Sequence, residues 1–115
     1  MAGKPTHPTV SVTLNIKTGA VTLAPTTVTI EPGVKDDITW GPALCTDSFT
    51  FCTLEFLDKV HPFTILSVDP KQIKVDDDNQ RTRDYGYVIW VHGADNKRYS
   101  TKSLFDPTGP TIKNK

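Results

Sequence analysis

The segment VTIEPGVKDDITW, residues 28–40, constrains the fold more than any other part of the chain. It consists of two runs of alternating apolar and polar residues on either side of a Glu-Pro-Gly break, and a side-chain period of two is typical of a β-strand with one buried face. Proline fixes φ and glycine accepts positive φ, so Glu31-Pro32-Gly33 is expected to form a tight turn. Two strands joined by such a turn indicate an all-β architecture.

The same alternation recurs along the chain. The strongest strand is 85–91, whose tyrosines and β-branched residues predict a place in the middle of a sheet. Segment 73–75 is predicted to be a short edge piece, and the polar segment 97–104 is predicted to be an edge strand. The other predicted strands are residues 10–16, 21–23, 28–30, 37–40, 48–57 and 63–68. Short links favour antiparallel neighbours, so we expect an immunoglobulin-like, Greek-key β-sandwich of roughly seven to nine antiparallel strands.

Length and charge limit the organisation and the partners. The chain has 115 residues, the size of a single domain, and residues 1–8 and 113–115 are expected to be flexible ends. Thirteen Lys and Arg residues balance thirteen Asp and Glu residues. Zero net charge provides no overall field to attract nucleic acid, and it permits copies to associate. We therefore expect no nucleic-acid partner, and a protein partner or self-association is possible.

The N-terminus and the cysteines bear on the compartment. Residues 1–8 lack the apolar core of an export signal, and no later run is long enough to span a bilayer. These features predict a soluble, cytoplasmic protein with no membrane partner. A disulfide between Cys45 and Cys52 is geometrically conceivable, but two reduced thiols are the commoner state in a cytosolic domain.

Residues 28–40, with their Ile38-Thr39-Trp40 ending, resemble the early part of cupredoxin sandwiches, which bind copper. A blue-copper centre needs a cysteine thiolate and two histidines, usually with an axial methionine. Here no cysteine follows the late strand 85–91, and the only methionine is Met1. The likeness therefore extends to the fold and not to a copper site.

Zinc and hydrolytic catalysis have little support either. Cys45, Cys52 and His61, with His92 or His7 as a further ligand, do not have the close ligand pairs of a structural zinc site. The chain has no GxSxG nucleophile motif and no glycine-rich phosphate loop. We predict no catalytic residues, no cofactor and no enzymatic activity.

The acidic run Asp76-Asp77-Asp78 is the best cation candidate, because clustered carboxylates suit calcium. It lacks the glycine and the distal glutamate of an EF-hand loop, and Arg81 and Arg83 follow it. A solvated acidic turn is the favoured interpretation, and a metal-binding protein or a metal-dependent enzyme is the alternative.

Aromatic residues suggest another kind of site, since exposed rings can stack on sugars. Most aromatic side chains lie in alternating strands, where packing into the core is the commoner outcome. Trp40 borders the Gly41-Pro42 turn, and Tyr99 lies on a polar strand, so these two are the ones expected to face solvent. A carbohydrate-binding module that uses Trp40 and Tyr99 is therefore an alternative function.

Three acid-proline dipeptides punctuate the strands, namely Glu31-Pro32, Asp69-Pro70 and Asp106-Pro107. Together with the Tyr85-Gly86-Tyr87 strand, they make the chain resemble the DP-EP family of small bacterial proteins. That resemblance implies a β-sandwich of uncharacterised function and a bacterial origin, and it implies no catalytic residues. Without a catalytic constellation, the function we predict is a non-enzymatic interaction or assembly module.

Overall fold

The computed structural model describes residues 6–79, 82–101 and 110–114. All regular secondary structure in these ranges is β-strand, as the alternation predicted. None of the described residues belongs to a helix long and apolar enough to cross a bilayer. The strands are β1 (Thr9–Asn15), β2 (Ala20–Ala24), β3 (Thr27–Ile30), β4 (Asp36–Pro42), β5 (Phe49–Phe56), β6 (Phe63–Asp69), β7 (Gln72–Asp77), β8 (Arg83–Gly93), β9 (Arg98–Ser100) and β10 (Thr111–Asn114).

The strands form two mixed sheets, which fits a β-sandwich. The first sheet has the order β2-β1-β4-β7-β6, and the second has the order β3-β10-β8-β5, with β9 paired to β8. Strand β1 runs parallel to β4, and β3 runs parallel to β10. The expectation of antiparallel neighbours is wrong for these two pairs. Two chain reversals, one after β1 and one after β3, separate β1 from β4, so the two strands run in the same direction.

Three segments differ from their predicted places. Strand β7 lies between β4 and β6 instead of at an edge, because its Ile73 and Val75 are fully buried. Strand β10 includes Lys113 and Asn114, which were expected to belong to a flexible end. Within 97–101, the described part of the predicted strand 97–104, β9 covers Arg98–Ser100. Residues 102–109, which include Asp106-Pro107, lie outside the described residues, as does Lys115.

The core lies between the sheets and contains inward-facing residues from both. The predicted place of strand 85–91 in the middle of a sheet is confirmed, because β8 pairs with β10, β5 and β9. The buried face of β8 carries Tyr85, Tyr87, Ile89 and Val91. From the opposite sheet, the Trp40 indole N–H donates a hydrogen bond to the Tyr87 hydroxyl at 3.1 Å. The two rings meet edge-on with their centroids 5.4 Å apart. This contact joins the two sheets at the centre of the molecule.

Candidate functional site

The two aromatic residues proposed for sugar binding do not form a shared surface. Trp40 is fully buried, so the expectation that it faces solvent is wrong. Its position in β4 next to the Gly41-Pro42 ending does not expose it, because alternation along the strand directs its ring to the core side. A sugar site would therefore depend on Tyr99 without Trp40.

Tyr99 is half-buried and already has partners. Its ring packs against the core cluster, and its hydroxyl donates a hydrogen bond to Oδ2 of Asp95. This hydrogen bond lowers the pKa of Asp95 and raises the pKa of Tyr99. The ring and the hydroxyl thus fix the turn between β8 and β9.

The acidic run does not converge on one point. Asp76 and Asp77 occupy successive positions of β7, so Asp76 is exposed and Asp77 is fully buried. Asp78 is half-buried and forms an ion pair with Lys35 at 3.0 Å. The alternative of a calcium site made by the three adjacent carboxylates is not supported, since strand alternation separates them. The favoured interpretation, a solvated acidic turn, is wrong for Asp76 and Asp77, which lie in β7, where Asp77 is buried.

A group with metal-like chemistry does occur elsewhere. Among the described residues, His7, Asp36 and Asp37 are the only three His, Cys, Asp or Glu side chains whose ligand atoms lie within 4.8 Å of one another. The buried Asp36 carboxylate accepts the backbone N–H groups of Thr6 at 2.9 Å and His7 at 3.0 Å. Asp37 pairs with the His7 ring and with Lys74 at 3.2 Å.

These partners define a clasp that attaches residues 6 and 7 to β4, because both carboxylates already have donors. The hydrogen bond to Asp37 raises the pKa of His7, and the same hydrogen bond lowers the pKa of Asp37. A metal ion held by these three side chains would have to replace the hydrogen bond between His7 and Asp37 and compete with Lys74 for Asp37. The cluster is therefore structural.

The structure does not bring the zinc candidates together. Cys45 is exposed and Cys52 is half-buried, and both are free thiols. The His61 ring packs on the Phe56 ring with centroids 4.5 Å apart. His92 lies within 3.3 Å of the Asn96 side-chain oxygen.

A shallow hollow of about 610 Å³ lies between the end of β1 and the loop 43–48. Its polar side chains are used by the backbone: Thr46 accepts the Leu14 N–H at 2.7 Å, and Asp47 accepts the Ile16 N–H at 2.7 Å. These contacts hold the loop against β1, so Thr46 and Asp47 serve the fold.

Strand β6 is the outer strand of the first sheet and is exposed over most of its length. It pairs with β7 on one side, and no described strand pairs with its other side. Ile65 is 43% exposed, Leu66 is 54% exposed and Val68 is 39% exposed. We call these three residues and their unpaired backbone the β6 edge. It combines apolar surface with main-chain N–H and C=O groups that can pair with another chain.

The pairing with β7 explains part of this exposure. Ile65 lies opposite Val75, and Val68 lies opposite Ile73. Both β7 residues are fully buried, so Ile65 and Val68 lie on the core-facing side of the sheet. Their exposure means that the second sheet does not cover this side of β6.

Both ends of β6 are nevertheless attached to the second sheet. At the beginning, Phe63 stacks on Phe56 of β5 with ring centroids 4.4 Å apart. Just after the end, the Pro70 carbonyl accepts a hydrogen bond from the Phe51 N–H at 2.9 Å. The middle of the strand is thus open between two fixed ends.

The β6 edge lacks most of the features that protect strand edges from unwanted pairing. Charged side chains and prolines commonly protect an edge. In β6 the only charged residue is Asp69, at the end of the strand, and residues 63–68 include neither a charge nor a proline. A register shift between Ile65 and Ser67 is the one irregularity in its pairing with β7. The opposite edge of the same sheet, β2, exposes only small or polar side chains, namely Ala20, Thr22 and Ala24.

The sequence correctly located this strand and missed its exposure. The available signal was the run Ile65-Leu66 within residues 63–68, which carry no charge and lie between Pro62 and Asp69-Pro70. A run that is apolar on both faces also fits a central strand, so sequence alone could not distinguish the two. Trp90, in the strand predicted to lie in the middle of a sheet, is half-buried on the outer face of β8.

Comparison of the chain with models of protein families and with curated proteins gives no match to either.

Proposed function

We propose that this protein is a non-enzymatic assembly module that self-associates through the β6 edge. The observation that carries the proposal is the exposure of Ile65, Leu66 and Val68 on an unpaired outer strand. A strand from another copy would extend the first sheet and satisfy the unpaired N–H and C=O groups. It would also remove the three apolar side chains from water, which is favourable.

A second copy of the chain is the partner that we infer. In a two-fold antiparallel contact, β6 of one copy lies against β6 of the other, so the same surface serves both. Residues 63–68 are uncharged, so the centre of this contact brings no like charges together. The zero net charge of the chain adds no long-range repulsion between copies.

We also infer an immunoglobulin-like, Greek-key connection for the two sheets. Successive strands from β2 to β5 alternate between the sheets, whereas β1 lies between β2 and β4. Such crossings between two layers are a feature of Greek-key sandwiches. Glu31-Pro32 follows β3, and Asp69-Pro70 ends β6. These positions fit the turn role that the DP-EP resemblance gives to acid-proline dipeptides, and we propose membership of that family on this basis.

Sedimentation velocity over a wide range of protein concentration tests the proposed association. We expect the wild-type protein to show a reversible, concentration-dependent dimer. Leu66→Lys adds a charge to the centre of the contact and is expected to give a monomer at all concentrations, because lysine on an edge strand opposes pairing. Thr22→Lys places the same charge on the opposite edge of the same sheet and is expected to dimerise like the wild type.

Thermal unfolding of all three proteins controls for folding. Both lysine variants carry their substitution on an exposed position, so their stability should lie within about 0.5 kcal/mol of the wild-type monomer. A wild-type protein that is monomeric at every concentration would contradict the proposal. Dimerisation of Leu66→Lys as strong as that of the wild type would contradict the assignment to β6.

A further inference from the structure

A buried polar network lies at the end of the core where β7, β10 and the β3–β4 turn meet. Its members are Asp77, Asn79 and Asn114, which are 0%, 8% and 2% exposed. The Asn114 side-chain N–H donates to Oδ1 of Asp77 at 3.0 Å, and the Asn79 backbone N–H donates to the same oxygen at 2.8 Å. The network therefore joins the first sheet to the second.

The orientation of the Asn79 amide is fixed by its neighbours. Its nitrogen donates to the carbonyl of Glu31 at 2.6 Å and to the carbonyl of Val34 at 3.0 Å. Both partners can only accept hydrogen bonds, so the amide nitrogen has to face them. Oδ1 of Asn79 consequently points away from the turn.

Three oxygen atoms of the network have no donor. Oδ2 of Asp77, Oδ1 of Asn79 and Oδ1 of Asn114 are buried, and they find no hydrogen-bond partner among the residues that the structure describes. All three are acceptors. Buried polar groups are normally satisfied, so three unpaired acceptors in one network indicate a missing electropositive partner.

The strand register adds negative charge at the same place. Strands β4 and β7 pair Asp36 with Asp77 and Asp37 with Asp76. Like charges directly opposite each other destabilise a sheet. On the outer face, Lys74 forms an ion pair with Asp37 at 3.2 Å and offsets this repulsion.

On the inner face, the carboxylates of Asp36 and Asp77 have different partners. The Asp36 carboxylate accepts the backbone N–H groups of Thr6, His7 and Asp37. No described cationic side chain forms an ion pair with Asp77. Asp77 is therefore the carboxylate that lacks a positive partner.

A proton or a water molecule satisfies the network less completely than a cation does. Burial raises the pKa of Asp77, but a proton on Oδ2 of Asp77 can be donated to only one of the two asparagine oxygens and leaves the other unpaired. A water molecule has two hydrogens and leaves one acceptor unpaired. A single cation in contact with all three oxygens would satisfy the whole network, and carboxylate and amide oxygens are the ligands that Ca²⁺ prefers.

We propose that Oδ2 of Asp77, Oδ1 of Asn79 and Oδ1 of Asn114 bind one Ca²⁺ ion. One carboxylate and two amide oxygens provide part of the ion's shell, and water completes it. The ion would fasten β7 to β10 and to the β3–β4 turn. The proposed Ca²⁺ site includes no residue of the β6 edge, and the two proposals do not depend on each other.

The test uses chelator-treated wild-type protein, with CaCl₂ as the added ligand in thermal unfolding and in titration calorimetry. MgCl₂ and NaCl at matched ionic strength are the controls. We expect Ca²⁺ to bind at one site per chain and to raise the melting temperature progressively with its concentration. Mg²⁺ should have a smaller effect, because it demands octahedral geometry and retains its water.

Asp77→Asn keeps the shape and removes the charge, and it should weaken Ca²⁺ binding by roughly tenfold or more, since affinity depends on ligand charge. Asp76→Asn, on the outer face of the same strand, should bind Ca²⁺ like the wild type. The wild-type titration is informative even if Asp77→Asn does not fold. Absence of binding and of stabilisation by Ca²⁺ in the wild type would overturn the proposal, as would equal weakening by both variants.

Discussion

At the residue scale, one polar contact organises the centre of the core. The Trp40 indole N–H and the Tyr87 hydroxyl come from opposite sheets and are both buried. Burial raises the pKa of Tyr87, so the hydroxyl stays neutral at physiological pH. An indole N–H can only donate a hydrogen bond and a phenol oxygen can accept one, so the Tyr87 hydroxyl provides the acceptor that the buried Trp40 N–H needs.

Removing the acceptor should therefore be costly. Tyr87→Phe keeps the ring and leaves the Trp40 N–H buried without a partner, so we expect a loss of about 1–3 kcal/mol in the free energy of unfolding. Urea unfolding of Tyr87→Phe, Trp40→Phe and the double variant measures the coupling between the two residues. Strictly additive effects would show that the hydrogen bond contributes nothing.

The clasp of residues 6 and 7 has a pH dependence with a definite sign. The pKa of His7 is raised from 6.5, so its contribution is present below 6.5 and is lost as the pH rises through the folded value. The pKa of Asp37 is lowered from 3.8, so its contribution is present above 3.8 and is lost as the pH falls through the folded value. Asp36, Asp76 and Lys74 are the other charged groups facing this pair.

Replacing His7 tests this window. His7→Gln removes the charge and retains hydrogen-bonding capacity, so we expect a lower melting temperature than the wild type between pH 3.8 and 6.5. The difference should shrink well above the raised pKa of His7. Melting curves of both proteins across pH check the prediction, and a difference that grows toward alkaline pH would contradict the sign.

At the scale of elements, local patterns predicted which residues form strands, and they failed where tertiary neighbours decide. The alternation in residues 10–16 and the Glu31-Pro32-Gly33 break gave β1 and the β3–β4 turn correctly. The place of β7 between β4 and β6 depends on which other strands pair with it. A short run such as Ile73-Lys74-Val75 contains no information about those neighbours.

The candidate site was harder to predict for the same reason. Ile65 and Val68 have the sequence pattern of buried residues, and their exposure depends on where the second sheet ends. Asn79 and Asn114 come from distant parts of the chain and meet Asp77 only in the fold. Trp40 was expected to face solvent because it adjoins Gly41-Pro42. The alternation of side chains along β4 instead directs its ring inward.

The β3–β4 turn provides a prediction at this scale. The Val34 N–H donates to the Glu31 carbonyl at 3.1 Å, and Gly33 has a φ of 69°. Proline followed by a residue of positive φ defines a type II turn. Gly33→Ala should cost about 1–2 kcal/mol, because a side chain disfavours this conformation.

Gly41→Ala is the matched control for the turn. Gly41 lies in β4, and a Cβ there would meet only the Lys71 carbonyl oxygen, at 4.0 Å. We expect this variant to be neutral or slightly stabilising, because alanine loses less entropy than glycine in a strand. Chemical unfolding compares the two, and equal destabilisation would contradict the turn argument.

At the scale of the whole molecule, the two sheets share one core and leave one flank of it incomplete. The Trp40–Tyr87 contact joins them at the centre, and the Asp77–Asn114 contact joins them at one end. Along β6, by contrast, residues on the core-facing side reach solvent. The zero net charge of the chain and the lack of charge in residues 63–68 make a second copy a suitable cover for this flank.

Amide hydrogen exchange at low and high protein concentration tests this account most directly. If β6 pairs with β6 of a second copy, the β6 amides that do not pair with β7 will exchange more slowly as concentration rises. The exposed amides of β2, at the other edge of the same sheet, will be unaffected. Exchange rates in β6 that are independent of concentration would contradict self-association through this strand.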